Sequence, residues 1–236
     1  MNKKHLGILC SSVLLLGLAS TAQATLYDRG GGMIYDSDQN LTWLRDANYA
    51  KTSGYDADGR MTWNAAMAWA TGLSYGGYND WRLPTIVDTG TSGCDFAYGG
   101  TDCGYNVQTG SVATTVYSEL ASLFYDTLGN NGWVDTSGNP TGCSGSDPWC
   151  LTNTGLFTNM QSNFYWSGTE YAPGTYRAWG FYTGSGVQDT NDKNVELYAW
   201  AVRSGDVGGG GGGTVPEPGT LLLMSAGLAG LLGRRR

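Results

Sequence analysis

Apolar residues recur at helical spacing in two stretches of this chain. Trp63, Ala66, Met67 and Ala70 fall three, one and three positions apart, and the spacing predicts a helix over residues 62–73, ended by Gly72 and Gly76-Gly77. Leu120, Leu123, Phe124 and Leu128 repeat in the same way, which predicts a second helix over 115–128 with Gly129 at its C-terminal end. Elsewhere the apolar positions come as short β-branched or aromatic runs between turn residues. The best strand candidates are 33–35, 41–44, 164–167, 178–182 and 198–203. Few helices, short strands and long loops predict an α+β fold with a small antiparallel sheet, not alternating βαβ units.

Two further apolar runs show neither period, and they lie at the ends. Lys3 and Lys4 precede the run 6–18, and Ala22-Gln23-Ala24 supplies small residues for cleavage, so 1–24 reads as a secretory signal peptide. At the other end come the glycines 208–213, then Val215-Pro216-Glu217-Pro218-Gly219, an apolar run 220–232 and Arg234-Arg235-Arg236. That run has thirteen residues, whereas a bilayer-spanning helix needs ~20. Terminal arginines hold a chain on the cytoplasmic side. The order of motif, run and basic end resembles the PEP-CTERM sorting tails of Gram-negative bacteria. The resemblance implies an exosortase-type processing enzyme as partner, membrane contact only transiently through the tail, and a destination outside the cell or on its surface. The chain thus divides into signal peptide 1–24, body 25–207, glycine linker 208–213 and sorting tail 214–236.

Charge and cysteine content then narrow the chemistry of the body. Without Lys3, Lys4, Glu217 and the three terminal arginines, eight basic residues face nineteen acidic ones, a net charge of −11. No basic stripe remains for nucleic acid, and polyanions are repelled. The only histidine, His5, belongs to the signal peptide, so histidine catalysis and histidine-ligated zinc are excluded from the body. Four cysteines remain there, Cys94, Cys103, Cys143 and Cys150. Three pairings are open; Cys94–Cys103 and Cys143–Cys150 are favoured because each closes a short Gly/Ser/Asp-rich loop. They sit in two long aperiodic insertions, 88–110 and 132–153.

Three constellations carry possible chemistry. Asp36-Ser37-Asp38-Gln39-Asn40 sets oxygen side chains at alternate positions, as the front of a calcium loop does; Asp36, Asp38 and Asn40 are the candidate ligands. The sixth-position glycine and the distant glutamate of such loops are missing, and Asp and Asn also populate turns for conformational reasons. Aromatics form the second constellation. Fifteen tyrosines and nine tryptophans exceed what one core requires, and Trp133 and Trp149 lie in polar insertions, where their faces suit sugar rings. The third is a carboxylate pair for glycoside hydrolysis, for which Glu119 and Glu170 are the glutamates in ordered segments. Nothing in the sequence sets them across a cleft.

One ordered series of motifs spans residues 28–206. It runs Leu41-Thr42-Trp43-Leu44-Arg45-Asp46, Trp63-Asn64-Ala65-Ala66, Gly77-Tyr78-Asn79-Asp80-Trp81-Arg82-Leu83-Pro84-Thr85 and Ser118-Glu119-Leu120. It closes with Tyr165-Trp166-Ser167-Gly168-Thr169-Glu170-Tyr171, Ala178-Trp179-Gly180-Phe181 and Ala199-Trp200-Ala201-Val202-Arg203. The series resembles the Lcl C-terminal domain family. The resemblance implies a C-type-lectin-like fold, two helices with short antiparallel strands and long disulfide-bridged loops, and a binding function of the adhesin kind. The acidic body turns the expected ligand from sulfated glycans to neutral ones. The expectation is a secreted surface or extracellular-matrix domain that contacts glycans or exopolysaccharide without catalysis. A glycoside-acting enzyme and a purely structural matrix protein are the alternatives. Trp81 is expected to anchor the core, with Arg82 and Arg203 in ion pairs to Asp46 or Asp80.

Overall fold

The computed structural model describes residues 25–90, 96, 98–99, 102–107, 118–143 and 148–208. The signal segment 1–24, Cys94 and the motif Pro216-Glu217-Pro218 lie outside that range. In chain order the first half holds β1 (Leu26–Asp28), β2 (Met33–Asp36), β3 (Leu41–Leu44), α1 (Tyr49–Thr52), β4 (Arg60–Met61), α2 (Trp63–Thr71) and β5 (Gly104–Tyr105). The second half holds α3 (Glu119–Ser122), a π-helical segment Leu123–Thr127, β6 (Phe164–Glu170), β7 (Arg177–Tyr182), β8 (Val187–Asp192), β9 (Leu197–Tyr198) and β10 (Val202–Ser204). The fold is α+β, as the pattern predicts.

Two sheets organise the chain. The first has the order β1-β2-β3-β10, and the second β4-β9-β6-β7-β8-β5. The strand pairings are antiparallel except β6 with β9, where Tyr165 faces Tyr198. The turn from β1 to β2 passes through Gly30, Gly31 and Gly32, all at positive φ, a conformation that a side chain would strain. β10 returns from the far end of the body to lie against β3, with Val202 opposite Trp43.

The run Trp81–Ile86 joins the two sheets. Arg82 and Val202 exchange both backbone hydrogen bonds at 2.9 Å, and the Gly168 N–H of β6 donates to Pro84 O at 2.7 Å. A proline carbonyl can accept although its nitrogen cannot donate, so Pro84 costs this seam nothing. Trp81 is buried beneath it, and Trp43, Trp166, Trp179 and Trp200 are wholly buried as well. Four of these five indoles donate to a partner: Trp81 to Tyr75 O, Trp166 to Met61 O, Trp179 to Asp88 Oδ2 and Trp200 to Leu44 O. A buried polar group without a partner costs free energy, which the core avoids at every large indole except Trp43.

Several elements depart from the periodicity. Among the described residues the second helix is α-helical over Glu119–Ser122, where the Ser118 hydroxyl accepts from the Ala121 N–H, and then widens into a π turn closed by Leu128 N to Leu123 O. The candidate strand 198–203 is divided between β9 and β10, because buried Ala199, Trp200 and Ala201 carry the chain from one sheet to the other. β8 is not among the strand candidates of the sequence. It is a strand because Gln188 and Thr190 point inward, with Gln188 accepting from Ser118 Oγ at 2.6 Å and donating to Asp102 O at 2.8 Å.

Candidate ligand-binding surface

The insertion after the second helix is built on the turn between β7 and β8. The Trp133 N–H donates to Ser185 O at 2.8 Å and the Cys150 N–H to Gly184 O at 3.1 Å, so both ends of the insertion hang from adjacent residues. Beneath them lies Tyr125, whose hydroxyl donates to Gly186 O at 2.6 Å and accepts from the Asn106 N–H at 3.1 Å. Burial pushes this phenol well above its ordinary pKa, so it remains a donor. A methyl group on Gly132 would come within 2.5 Å of the Tyr125 oxygen, and one on Gly186 within 2.3 Å. The two glycines therefore let the insertion and the turn close on one buried hydroxyl.

Polar groups hold the described part of the insertion. Asp135 Oδ1 accepts from Ser137 N and Asn139 N, while Thr141 N returns to Trp133 O at 3.0 Å. The hydrogen bond from the Asn139 N–H, with help from its side chain and Ser137, holds the Asp135 carboxyl below its ordinary pKa. Cys143 and Cys150 are bonded, with Cα atoms 4.7 Å apart. Cys103 is also disulfide-bonded, and Cys94, its expected partner, lies outside the described residues.

Trp133 and Trp149 are 43% and 41% exposed, while the other seven tryptophans are buried or half-buried. Trp149 has φ +56°, a left-handed conformation that a bulky residue rarely adopts. Such strain persists only where surrounding structure enforces it, and it clusters at ligand clamps. Here the Cys143 bridge and the Gly184 hydrogen bond enforce it through the next residue. The result sets the indole edge-on to Tyr182, with ring centroids 6.2 Å apart, and Tyr182 stacks on Phe164 at 4.9 Å. Sequence reasoning singled out the two tryptophans and missed Tyr182 and Phe164, which lie on adjoining strands. The visible signal was Tyr182 directly before Thr183-Gly184-Ser185-Gly186, a turn with two glycines.

The other candidate residues fall elsewhere. Asp36 is buried, and its Oδ1 accepts from Asp38 N and Gln39 N, its Oδ2 from Gln39 Nε2 and Thr127 Oγ1. Desolvation raises its pKa against those hydrogen bonds. Asn40 Oδ1 accepts from the Tyr35 hydroxyl at 3.0 Å. Protein donors thus reach both Asp36 oxygens, as in an Asx turn. Among the described residues no group of three or more His, Cys, Asp or Glu could hold a metal. Glu119 is ion-paired with Arg82 and Glu170 with Lys193. Arg203 pairs with Asp80, as expected, whereas Arg82 takes Glu119 in place of Asp46 or Asp80.

Two family models match the chain. The Lcl C-terminal domain matches residues 32–99, under a third of the chain and part of the 28–206 span of the motif series, and the PEP-CTERM protein-sorting motif matches residues 214–236. No curated protein and no solved structure matches it. Both matches agree with the resemblances read from the motifs, and the second identifies a sorting signal of proteins exported to the cell envelope or surface. Among the described residues no helix is long and apolar enough to cross a membrane.

Proposed function

We propose that this is a non-catalytic, C-type-lectin-like binding domain of the cell surface or extracellular matrix, with Trp133 and Trp149 as the stacking faces of a neutral-glycan site. In this reading residues 1–24 are removed on export, 25–207 form the binding body, 208–213 act as a hinge, and an exosortase-type enzyme processes 214–236. One observation carries the reading: the only two tryptophans left well exposed sit in one insertion, hung from one turn, and one is held there in a strained backbone conformation. Aromatic faces present apolar area to the axial hydrogens of a sugar ring and need no charge. The acidic body supports a neutral glycan over a sulfated one, because a net charge of −11 repels polyanions.

A neutral-glycan array followed by calorimetry tests this. Binding is expected to be weakly dependent on salt and to be lost in Trp133→Ala and Trp149→Ala at unchanged thermal stability. Heparin binding that collapses with salt would overturn the neutral-ligand reading.

A further inference from the structure

A second concavity lies beside the aromatic platform. Asn48 and α1, the turn carrying Asp58, residues 159–161 and Tyr198 of β9 enclose an open cavity of about 370 Å³. That is within the small-ligand range of roughly 300–1,000 Å³ and ample for one sugar ring. Its wall is polar, and much of that polarity is unspent. Among the described residues the Lys51 ammonium, the Asn159 amide and the Tyr198 hydroxyl have no hydrogen-bond or ion-pair partner. Asn159 also stands at φ +54°. Gln161 donates from Nε2 to Asn159 O at 2.7 Å, which leaves its own amide oxygen available.

These groups select a ligand class. Lys51, Asn159 and Tyr198 offer donors; Asn159, Gln161 and Asp58 offer acceptors. Hydroxyl groups, which donate and accept at once, match such a mixture. A phosphate or sulfate would meet Asp58, and a bare cation would meet Lys51, so neither gains from the pair. The cavity is also tied to the platform. Ser162, next to Gln161, donates to Pro148 O at 2.9 Å, and Pro148 precedes Trp149. The Thr183 hydroxyl, at the turn that carries the platform, donates to Gln161 O.

We propose that this cavity holds one ring of a neutral saccharide whose following rings run onto the Trp149–Tyr182 face. The ligand class rests on the glycan reading above, and the cavity is a separate set of residues that can be tested apart from it. The probes are neutral tetrasaccharides of β-1,3-glucose, β-1,4-glucose and β-1,4-N-acetylglucosamine, titrated calorimetrically into the full-length chain. Asn159→Ala and Tyr198→Phe should each weaken binding by roughly tenfold, the loss expected for a hydrogen bond or two. Tyr198→Phe keeps the ring and its contact with Tyr165, so a loss there reports the hydroxyl. If Trp149→Ala abolishes binding while both cavity variants bind as before, the cavity proposal fails and the platform stands. If the cavity variants lose binding and both tryptophan variants keep it, the platform reading fails and the cavity stands. No binding of any probe overturns both.

Discussion

Arg82 and Glu119 meet fork to fork: Nη1 to Oε2 and Nη2 to Oε1 are both 2.7 Å, and the Thr85 N–H donates to Oε2 at 2.7 Å. Glu119 is almost wholly buried, whereas the Arg82 side chain retains 31% exposure. The pair fixes the start of α3 against the seam between the two sheets. Glu119→Ala removes both carboxylate contacts of the Arg82 guanidinium and the acceptor of the Thr85 N–H, and should cost about 2–4 kcal/mol in urea unfolding. Replacing both residues together should cost less than the sum of the single changes. Additive losses would show that the fork carries no coupling.

Tryptophans of the core and of the platform should respond oppositely. Trp81→Ala removes a buried ring and its hydrogen bond to Tyr75 O, an expected loss of ~3–5 kcal/mol. Trp133→Ala should change the unfolding free energy by less than about 0.5 kcal/mol, the range of surface substitutions. Equal destabilisation by both would mean that Trp133 serves its loop and not a ligand.

Gly186→Ala tests how the insertion is held. The new methyl would meet the Tyr125 oxygen, and the backbone there stands at φ +76°. The change should cost roughly 1–3 kcal/mol, with hydrogen exchange rising first at the Trp133 and Cys150 amides. Reducing the Cys143–Cys150 bridge should loosen the same segment while the two sheets stay folded.

Acid should weaken the Asp80–Arg203 contact. The hydrogen bonds from Arg203 depress the Asp80 pKa below its ordinary value of 3.8. Its stabilising contribution is therefore complete above the unfolded pKa and disappears as pH falls through the lower folded value. Because the Asp80 side chain is 54% exposed, the effect is small, about 0.5–1 kcal/mol. Asp80→Asn should flatten the stability profile below pH 4 by that amount, and a profile identical to the unaltered protein's would remove Asp80 from the acid response.

Deleting residues 215–236 should release the body from the cell envelope into the medium or periplasm. Cell fractionation in the native host decides this, and identical partitioning of the shortened and full chains would refute the role given to the tail.

What was legible in the sequence follows from which physical signals are local. Helix α2 is marked by its apolar spacing and the glycine after it, and Trp43, Trp166 and Trp179 sit in alternating or continuous apolar runs. Cys143–Cys150 was suggested by loop length. Less was visible where polar residues take inward positions. Gln188 makes β8 a strand only because Ser118 and Asp102, distant in sequence, satisfy its amide. Glu119 stands out in the sequence only as a glutamate in an ordered segment, and its burial depends on an arginine 37 positions earlier. For the site, the exposed indoles stood out from their polar surroundings. The cavity lined by Asn159 and Tyr198 did not, since four separate segments meet there.

The return of β10 to β3 has a consequence for how the protein is made. The first sheet contains residues 26–44 and also 202–204, so its fourth strand is nearly the last part of the body to be synthesised. Arg29 adds to this dependence, with its guanidinium over the Tyr27 and Tyr35 rings and bidentate to Asp206 through Nε and Nη2. An emerging chain lacks these partners until the body is complete, and long-range closure of this kind is slow. The first sheet is therefore complete only once the chain has reached residue 204, shortly before the glycines that lead to the sorting motif.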